Sequence, residues 1–250
     1  MPPTIRLTRS GIECVIYWPG EREPKGGVVC LHGSEGGHAG WNDLSCAMLA
    51  ANGFAAVAYR YTQRRPEEPS PDIDGVALDG AEAALANLRS EIGPAGRVGL
   101  YGTSRGAEHA LLLAQLMTED GCSNLPDAVA AHSPPDAIWA AYIAADFKPG
   151  RAWAGDPTRP AWSWRGSSER TRPGTLLRPE LFPGPIFIAQ GGEDKTWGAE
   201  MAHRLASRMT EAGRPPEARF FAGEGHVFGV DARNREWELL VRFFERHLMR

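Results

Sequence analysis

The sequence predicts an α/β fold with a mostly parallel central sheet and helices on both of its faces. Short apolar runs, such as residues 28–31, have the length and composition of fully buried strands. Longer segments with apolar residues at helical spacing follow them, and glycines separate the two kinds of segment. Strands that alternate with helices in this way are typical of a parallel sheet covered by helices.

The elements of the first half follow one another at short intervals. Residues 4–18 have β-prone runs around Ser10-Gly11, which predicts an antiparallel hairpin at the sheet edge. The strand 28–31 opens into the glycine-rich loop 32–37. The next predicted elements are a helix over 41–51 ended by Gly53, a strand over 54–59, a helix from 72–74 to Ile92 stopped by Gly93-Pro94, and a strand over 97–101.

The second half keeps this rhythm except in one segment. The predicted elements are a helix over 107–117, strands over 128–131 and 186–189, a helix over 197–212, a strand over 218–221 and a helix over 234–248. Residues 133–185 are rich in proline and hold Trp139, Trp153, Trp162 and Trp164 with little periodicity. We interpret this segment as a lid or cap insertion in a single domain spanning 1–250.

Charge and hydropathy exclude several classes of partner. The 250 residues include 27 Lys and Arg and 31 Asp and Glu, a formal net charge of −4. This balance gives no basic field to attract nucleic acid or an anionic membrane, so neither is expected as a partner. No run reaches about 18 apolar residues, and residues 1–19 lack the apolar core of a signal peptide. We therefore expect a cytoplasmic protein.

The four cysteines, Cys14, Cys30, Cys46 and Cys122, form no C-x-x-C pair and have no histidines at close spacing. Free thiols in a reducing compartment are the plain interpretation. We expect no metal and no cofactor.

A candidate nucleophile lies between a predicted strand and a predicted helix. Ser104 is the central residue of the sequence GTSRG at 102–106, a G-x-S-x-G pattern in the strand–turn–helix context that makes this motif informative. The glycines allow a sharp turn that leaves the hydroxyl exposed at the carboxyl end of the sheet. An ordinary glycine turn is the alternative.

A serine nucleophile needs a base and a group that orients the base. His226 follows the strand 218–221 in a glycine-rich loop, and Asp194 follows the strand 186–189. The chain order Ser, Asp, His is the one found with this motif. Glu193 is the alternative acid. The other histidines are less suited to act as the base: His32 precedes the glycine loop, His38 and His132 are loop or strand-end residues, and His109, His203 and His247 lie in predicted helices.

Two backbone N–H groups are expected to stabilise the negative oxygen of a tetrahedral intermediate. One belongs to Arg105, which follows the nucleophile at a helix N-terminus. The other is assigned to Ser34, with Glu35 as second choice. A phosphate-binding loop is disfavoured, because this stretch lacks G-x-G-x-x-G spacing and a Gly-Lys-Ser/Thr ending.

Five residues near these groups in the sequence or in the predicted insertion could contact the substrate. The candidates are Glu35, His132, Trp139, Trp162 and Trp164. Aromatic side chains often line ligand sites, but these tryptophans could equally pin an irregular segment to the body. Glu108, one turn after Ser104, could act through Arg105 or His132, or could simply make a structural hydrogen bond.

With these motifs in place, the chain resembles the α/β-hydrolase superfamily over nearly its whole length. The sequences GTSRGAE at 102–108, GEDKTW at 192–197 and GEGH at 223–226 are similar to the catalytic domain of acyl-CoA thioesterases and bile acid-CoA:amino acid N-acyltransferases. Trp162-Ser163-Trp164 is a weaker similarity to the same family. Dienelactone hydrolases are the next group.

The thioesterase resemblance implies a serine or cysteine nucleophile that attacks an acyl thioester, with the aspartate and the histidine in the roles given above. The long members of that family carry an additional N-terminal β-sandwich domain, whereas about 25 residues precede the first core strand here. Candidate phosphate partners for coenzyme A are Arg105, Arg151, Arg159, Arg165, Arg170 and Arg172, although scattered arginines are more often solvated.

These observations together predict a serine hydrolase that transfers an acyl group to water through an acyl-enzyme. The substrate is expected to be a small-molecule carboxylic ester or acyl thioester. An acyl-CoA thioesterase or acyltransferase is one alternative, and a peptidase is another. A ligand receptor of the same fold without catalysis is the alternative from a different class. Oligomeric state is left open.

Overall fold

The computed structural model describes residues 5–9, 14–62, 71–93, 95–146 and 155–249. These residues form ten strands and five helices. The strands are β1 (Arg6–Arg9), β2 (Val15–Trp18), β3 (Gly27–Leu31), β4 (Ala55–Tyr59), β5 (Val76–Ala77), β6 (Val98–Thr103), β7 (Ala128–His132), β8 (Trp162–Ser163), β9 (Ile186–Gly191) and β10 (Glu217–Phe221). The helices are α1 (Trp41–Ala51), α2 (Asp79–Glu91), α3 (Arg105–Glu119), α4 (Ala199–Glu211) and α5 (Val230–Leu248).

The central sheet has eight strands in the order β1-β2-β4-β3-β6-β7-β9-β10. The strands from β4 to β10 in this order run parallel to one another, and β2 joins β4 antiparallel. The β1–β2 pair is the antiparallel hairpin predicted at the sheet edge, while its Ser10-Gly11 turn lies outside the described residues. The predicted fold class, a mostly parallel sheet with helices on both faces, is confirmed.

Two hydrophobic clusters cover the two faces of the sheet. Val29 and Leu31 of β3 pack with residues of α2, α3 and α4, whereas Val28 and Cys30 pack with residues of α1 and α5. This alternation follows from the pleat of a strand, which points successive side chains to opposite faces. A short run that is apolar at every position is therefore buried on both sides, as its sequence indicates.

Helix α2 begins later than predicted. The expected start at 72–74 is wrong, because the chain first forms β5, which pairs in parallel with β8. Val76 N–H donates to the carbonyl of Ala161 at 2.9 Å, and Leu78 N–H donates to that of Ser163 at 3.0 Å. A tertiary partner distant in sequence has thus taken the backbone groups that a longer helix would have used.

Two arginines of the segment predicted as an insertion form ion pairs with α2 and with the end of α3. Arg165 pairs with Asp79 at 2.9 Å and with Glu82 at 2.6 Å. Arg170 pairs with Glu119 and Asp120, each at 2.6 Å. These pairs hold the chain around residues 165–170 against the start of α2 and the C-terminal end of α3.

Among the helices that the structure describes, none is both long enough and apolar enough to cross a bilayer.

Candidate active site

Ser104 occupies a sharp turn between β6 and α3. Its backbone angles, φ of 54° and ψ of −119°, lie in a region that residues other than glycine rarely adopt. Its N–H donates to the carbonyl of His132, the last residue of the neighbouring strand β7, at 2.9 Å. The turn therefore projects the hydroxyl beyond the carboxyl edge of the sheet, which is the edge where the parallel strands end.

The two glycines of the motif are required by close backbone contacts. A Cβ at Gly102 would collide with the carbonyl group of Gly106, and a Cβ at Gly106 would collide with the carbonyl oxygen of Leu31. The first residues of α3 thus pack directly on the end of β3. Only glycine allows this approach.

Three residues predicted as a unit are hydrogen-bonded to one another. Ser104 Oγ lies 2.8 Å from His226 Nε2, and His226 Nδ1 lies 2.7 Å from Asp194 Oδ2. Asp194 follows β9 and His226 follows β10, so that all three side chains meet at the same edge of the sheet. The geometry fits a hydroxyl donating to Nε2 while Nδ1–H donates to the carboxylate.

The Asp194 carboxylate is buried and surrounded by donors. Its Oδ1 accepts the backbone N–H groups of Thr196 at 2.8 Å and Trp197 at 3.0 Å, and its Oδ2 also accepts from Gln190 at 2.9 Å. Burial by itself would raise the pKa of Asp194, but the hydrogen bond and charge of His226, with the two N–H groups, hold it below its usual range. The carboxylate therefore stays ionised beside His226.

The predicted oxyanion donors lie on the two sides of the nucleophile. A Cβ placed on Gly33 would be 3.2 Å from Ser104 Cβ, so the loop that carries Ser34 borders the nucleophile. Arg105 N–H is in the first turn of α3, where helix N–H groups lack an intrahelical partner. Within the described ranges, neither the Ser34 nor the Arg105 amide donates to a protein acceptor. Both remain candidates for binding a developing oxyanion.

Glu35 lies beside Ser104 and folds back on its own loop. Its Oε1 accepts the N–H of Gly33 at 2.9 Å, and a Cβ on Gly33 would collide with its Oε2. Burial raises the pKa of Glu35, although the backbone N–H contacts and His226 act in the opposite direction. Glu35 thus lies on the loop that borders the nucleophile.

An aromatic wall flanks the histidine. The Trp197 ring lies 5.7 Å from the His226 ring in an edge-on contact, and the half-buried Trp139 ring lies 6.0 Å from Trp197. Trp139 was predicted to contact the substrate; the structure places it beside Trp197, on the side of His226, and the contact itself stays a prediction. Trp197 was not singled out from the sequence, although its position three residues after Asp194 could have indicated it.

The structure places the Trp162 and Trp164 side chains against the body of the protein, and their substrate contact stays a prediction. Trp162 is fully buried, and its Nε1 donates to Glu108 at 2.8 Å. Trp164 Nε1 donates to Asp120 at the far end of α3, about 20 Å from Ser104 for a helix of this length. Both side chains are anchors of the insertion, the second of the two interpretations that the sequence allowed.

The His132 ring lies between two protein groups. It is 2.7 Å from the carboxylate of Glu236 on α5 and 3.2 Å from the main-chain carbonyl oxygen of His226. Its substrate contact stays a prediction, and these two contacts give it a structural place of its own. Sequence reasoning missed Glu236, because a glutamate in an amphipathic helix resembles any solvated residue.

Behind the nucleophile, Arg105 and Glu108 form a buried ion pair. Their closest atoms, Nη1 and Oε2, are 2.8 Å apart, although the angle is not that of a hydrogen bond. Glu108 Oε1 accepts the N–H of Trp139 at 2.9 Å as well as that of Trp162. Glu108 therefore links Trp139 and Trp162 to the residue after Ser104, and its contacts include Arg105 and not His132.

Most of the arginines considered for coenzyme A already have acidic partners. Arg159 pairs with Asp74 at 2.5 Å, and Arg165 and Arg170 make the pairs with α2 and α3 described above. Arg105 is buried against Glu108, Arg172 is exposed, and Arg151 lies outside the described residues.

The comparisons with known proteins agree with this architecture. No family model matches the sequence. Acyl-coenzyme A thioesterase 6 of Mus musculus is 25% identical over 238 residues, which cover 90% of this chain and 55% of that protein. The chain thus spans about half the length of this curated relative.

Solved structures with similar folds include several hydrolases. An α/β-hydrolase enzyme from a Medee basin deep-sea metagenome library has a TM-score of 0.64 at 16% identity and covers 98% of both chains. A dienelactone hydrolase-like promiscuous phosphotriesterase from metagenomic libraries has a TM-score of 0.63 at 15% identity, with 99% of this chain and 100% of that one covered. Esterase 2 of Thermogutta terrifontis phosphonylated by sarin has a TM-score of 0.62 at 19% identity, with coverages of 98% and 95%. The strand order, the turn at Ser104 and these neighbours together identify the chain as a protein of the α/β-hydrolase fold.

Proposed function

We propose that the protein is a serine hydrolase that cleaves a carboxylic ester or acyl thioester of a small molecule. Ser104 is the nucleophile, His226 the general base and Asp194 the residue that orients the base. The observation that carries this proposal is the continuous chain of hydrogen bonds from Asp194 Oδ2 through His226 to Ser104 Oγ, with links of 2.7 and 2.8 Å. A serine hydroxyl becomes a useful nucleophile only when such a base can accept its proton.

The first half of the reaction forms an acyl-enzyme. Ser104 Oγ attacks the carbonyl carbon while His226 Nε2 takes the hydroxyl proton, and the carbonyl oxygen becomes an oxyanion. The N–H groups of Arg105 and Ser34 are assigned to that oxyanion, and loss of one such donor costs about 100- to 1,000-fold in rate. When the tetrahedral intermediate collapses, the bond to the leaving oxygen or sulfur breaks and His226 protonates the leaving group.

The second half releases the acid. A water molecule attacks the acyl carbon, His226 accepts one of its protons, and collapse of the second intermediate returns that proton to Ser104 Oγ. Asp194 supports both halves because an ionised carboxylate stabilises the imidazolium that forms each time. Its lowered pKa keeps it in that form.

The substrate is assigned to simple esters and thioesters without a requirement for coenzyme A. The carboxylate partners of Arg159, Arg165 and Arg170 support this choice, because paired guanidinium groups are poorly placed to bind phosphate. Similarity to an acyl-CoA thioesterase keeps acyl-CoA hydrolysis as the second candidate. The intact hydrogen-bond chain argues against a ligand receptor that has lost catalysis.

The test is covalent labelling with a fluorophosphonate, a reagent class suited to this fold since esterase 2 of Thermogutta terrifontis is phosphonylated by sarin. The wild-type protein should be labelled at Ser104 and should hydrolyse p-nitrophenyl esters. Ser104→Ala should lose both, whereas Ser163→Ala, at a serine of β8 whose hydroxyl bonds the Gly75 carbonyl, should keep both. Labelling that persists in Ser104→Ala would remove Ser104 from its role.

A parallel assay separates the two candidate substrates. The ratio kcat/KM is compared for p-nitrophenyl esters and acyl-CoA thioesters of matched chain length. Faster turnover of the acyl-CoA series would replace the simple ester with the second candidate.

A further inference from the structure

His132 contacts both halves of the proposed catalytic group. Thr103 and His132 are paired in register at the ends of β6 and β7, and the His132 carbonyl accepts the N–H of Ser104 at 2.9 Å. The His132 ring contacts the proposed base, because its Nε2 lies 3.2 Å from the main-chain carbonyl oxygen of His226. One residue therefore bonds the backbone of the nucleophile and the backbone of the base.

The loop that carries His226 is held on both sides of the histidine. Glu193 N–H donates to the Glu224 carbonyl at 2.8 Å, and the Glu224 carboxylate accepts the N–H of Gly229 at 2.6 Å. The His226 ring is held by Asp194 at 2.7 Å. The His226 main-chain carbonyl has two donors among the described residues, the His132 ring and the hydroxyl of Ser133 at 3.3 Å. Two adjacent residues therefore hold the backbone of His226 while Asp194 holds its ring.

The His132 ring is held by a buried acid. Its Nδ1 lies 2.7 Å from Glu236 Oε1, and Arg233 Nη1 lies 2.8 Å from the other oxygen of Glu236. Burial would raise the pKa of Glu236, but the charges and hydrogen bonds of His132 and Arg233 lower it. Glu236 is therefore an ionised anchor for the ring.

The two ring nitrogens of His132 meet different groups. Nε2 lies within donating distance of the His226 carbonyl, whereas Nδ1 lies 2.7 Å from Glu236 Oε1 and 3.4 Å from Arg233 Nη1. The ring of Phe228 packs beside the imidazole, with its centroid 4.5 Å away. The ring is therefore held on the Nδ1 side and free to donate from Nε2.

We propose that His132 is a positioning residue of the hydrolase: its ring, anchored by Glu236, holds the main-chain carbonyl of His226 and thereby helps to set the approach of His226 Nε2 to Ser104 Oγ. This inference rests on the proposed function of Ser104 and His226. It gives His132 no contact with substrate, and it assigns to Glu236 a role that depends on His132.

The experiment compares His132→Ala, His132→Gln and His132→Asn with the wild-type protein. For each protein we would measure the second-order rate constant of fluorophosphonate inactivation, the fraction of protein labelled at completion, and kcat and KM for a p-nitrophenyl ester. The Gln amide can reach the position of Nε2 and donate to His226, whereas the Asn amide is too short. His132→Ala should react about 10- to 100-fold more slowly, as expected for a base displaced from its position. The labelled fraction should stay complete and KM should change little.

The glutamine variant should recover most of the rate and the asparagine variant should not. A structural role alone would lower the labelled fraction instead of the rate constant, and that result would overturn the inference. Equal rate constants for the wild-type protein and His132→Ala would also overturn it. If His132→Ala does not fold, equal inactivation rate constants for the Gln and Asn variants would overturn the inference. Failure of the wild-type protein to be labelled would instead refute the proposed function, and this inference with it.

Discussion

Two carboxylate–imidazole pairs lie at the carboxyl edge of the sheet. In one, Asp194 accepts from His226, and in the other, Glu236 accepts from His132. The carboxylate oxygen and Nδ1 are 2.7 Å apart in both. In each pair the carboxylate fixes the orientation of the ring and leaves Nε2 to meet a third group.

The pairs differ in what Nε2 meets and in their access to solvent. His226 Nε2 faces the hydroxyl of Ser104, which can give it a proton, whereas His132 Nε2 faces a carbonyl, which has none to give. The side chain of His226 is 21% exposed and that of His132 is 7% exposed. The same pair of residue types is therefore suited to proton transfer in one place and to holding a loop in the other, and the third group decides which.

The largest expected effect comes from breaking the first pair. Asp194→Asn would present an N–H to His226 and favour the tautomer whose Nε2 carries the proton, which cannot accept one from Ser104. We expect kcat for ester hydrolysis to fall by about a thousandfold or more. Glu193→Gln, at the exposed neighbouring position that was the alternative acid, should leave kcat unchanged. If kcat falls in the Glu193 variant and not in the Asp194 variant, the two assignments are reversed.

A smaller effect is expected from breaking the second pair. Glu236→Gln keeps the size of the side chain but removes the charge of the carboxylate that anchors the His132 ring. We expect kcat/KM for ester hydrolysis to fall by about tenfold, the scale of one lost charge-assisted hydrogen bond. A Glu236→Gln variant with wild-type kcat/KM would contradict the comparison between the pairs.

The smallest expected effect on catalysis comes from replacing a histidine that has no carboxylate partner. His109 on α3 is fully buried, and neither ring nitrogen has a hydrogen-bond partner among the described residues. Burial lowers the pKa of His109 to about 3, so the native protein binds fewer protons than the unfolded chain between this value and about 6.5. This histidine therefore makes the native state less stable as pH falls through that window.

His109→Leu should remove this part of the pH dependence. Between pH 6 and pH 5, the free energy of unfolding should fall less steeply in the variant than in the wild-type protein. The two slopes should differ by about 1.4 kcal/mol per pH unit, the value for one proton. Urea unfolding at the two pH values gives the measurement, and kcat at pH 7 serves as the control that should not change. His32, with a pKa lowered to about 4 by burial, remains in both proteins, so some slope should persist. If the free energy of unfolding has the same pH slope in both proteins, His109 is not the source of this pH dependence.

The features that the sequence predicted well are those encoded locally or marked by a motif. The run 186–189 and the turn at Ser104 depend on residues within a few positions of one another, and both lie where they were predicted. The long-range contacts of Ser104, Asp194 and His226 were expected because a motif marks these residues. Contacts between distant segments that no motif marks were not predicted. His132 and Glu236 are 104 positions apart, and β5 pairs with a strand 86 positions later. Nothing in the local pattern around Glu236 distinguishes it from a solvated glutamate, so its burial was unforeseen.

The order of the strands along the chain has a consequence for synthesis. Ser104 leaves the ribosome long before β10, and β10 must add to the outer edge of the sheet before His226 can reach the serine. Such non-local strand pairing forms late, because the intervening loop must close first. A nascent chain with a finished turn at Ser104 therefore still carries an inert hydroxyl. On the proposed function, the growing polypeptide would gain its hydrolytic activity only when the sheet is complete.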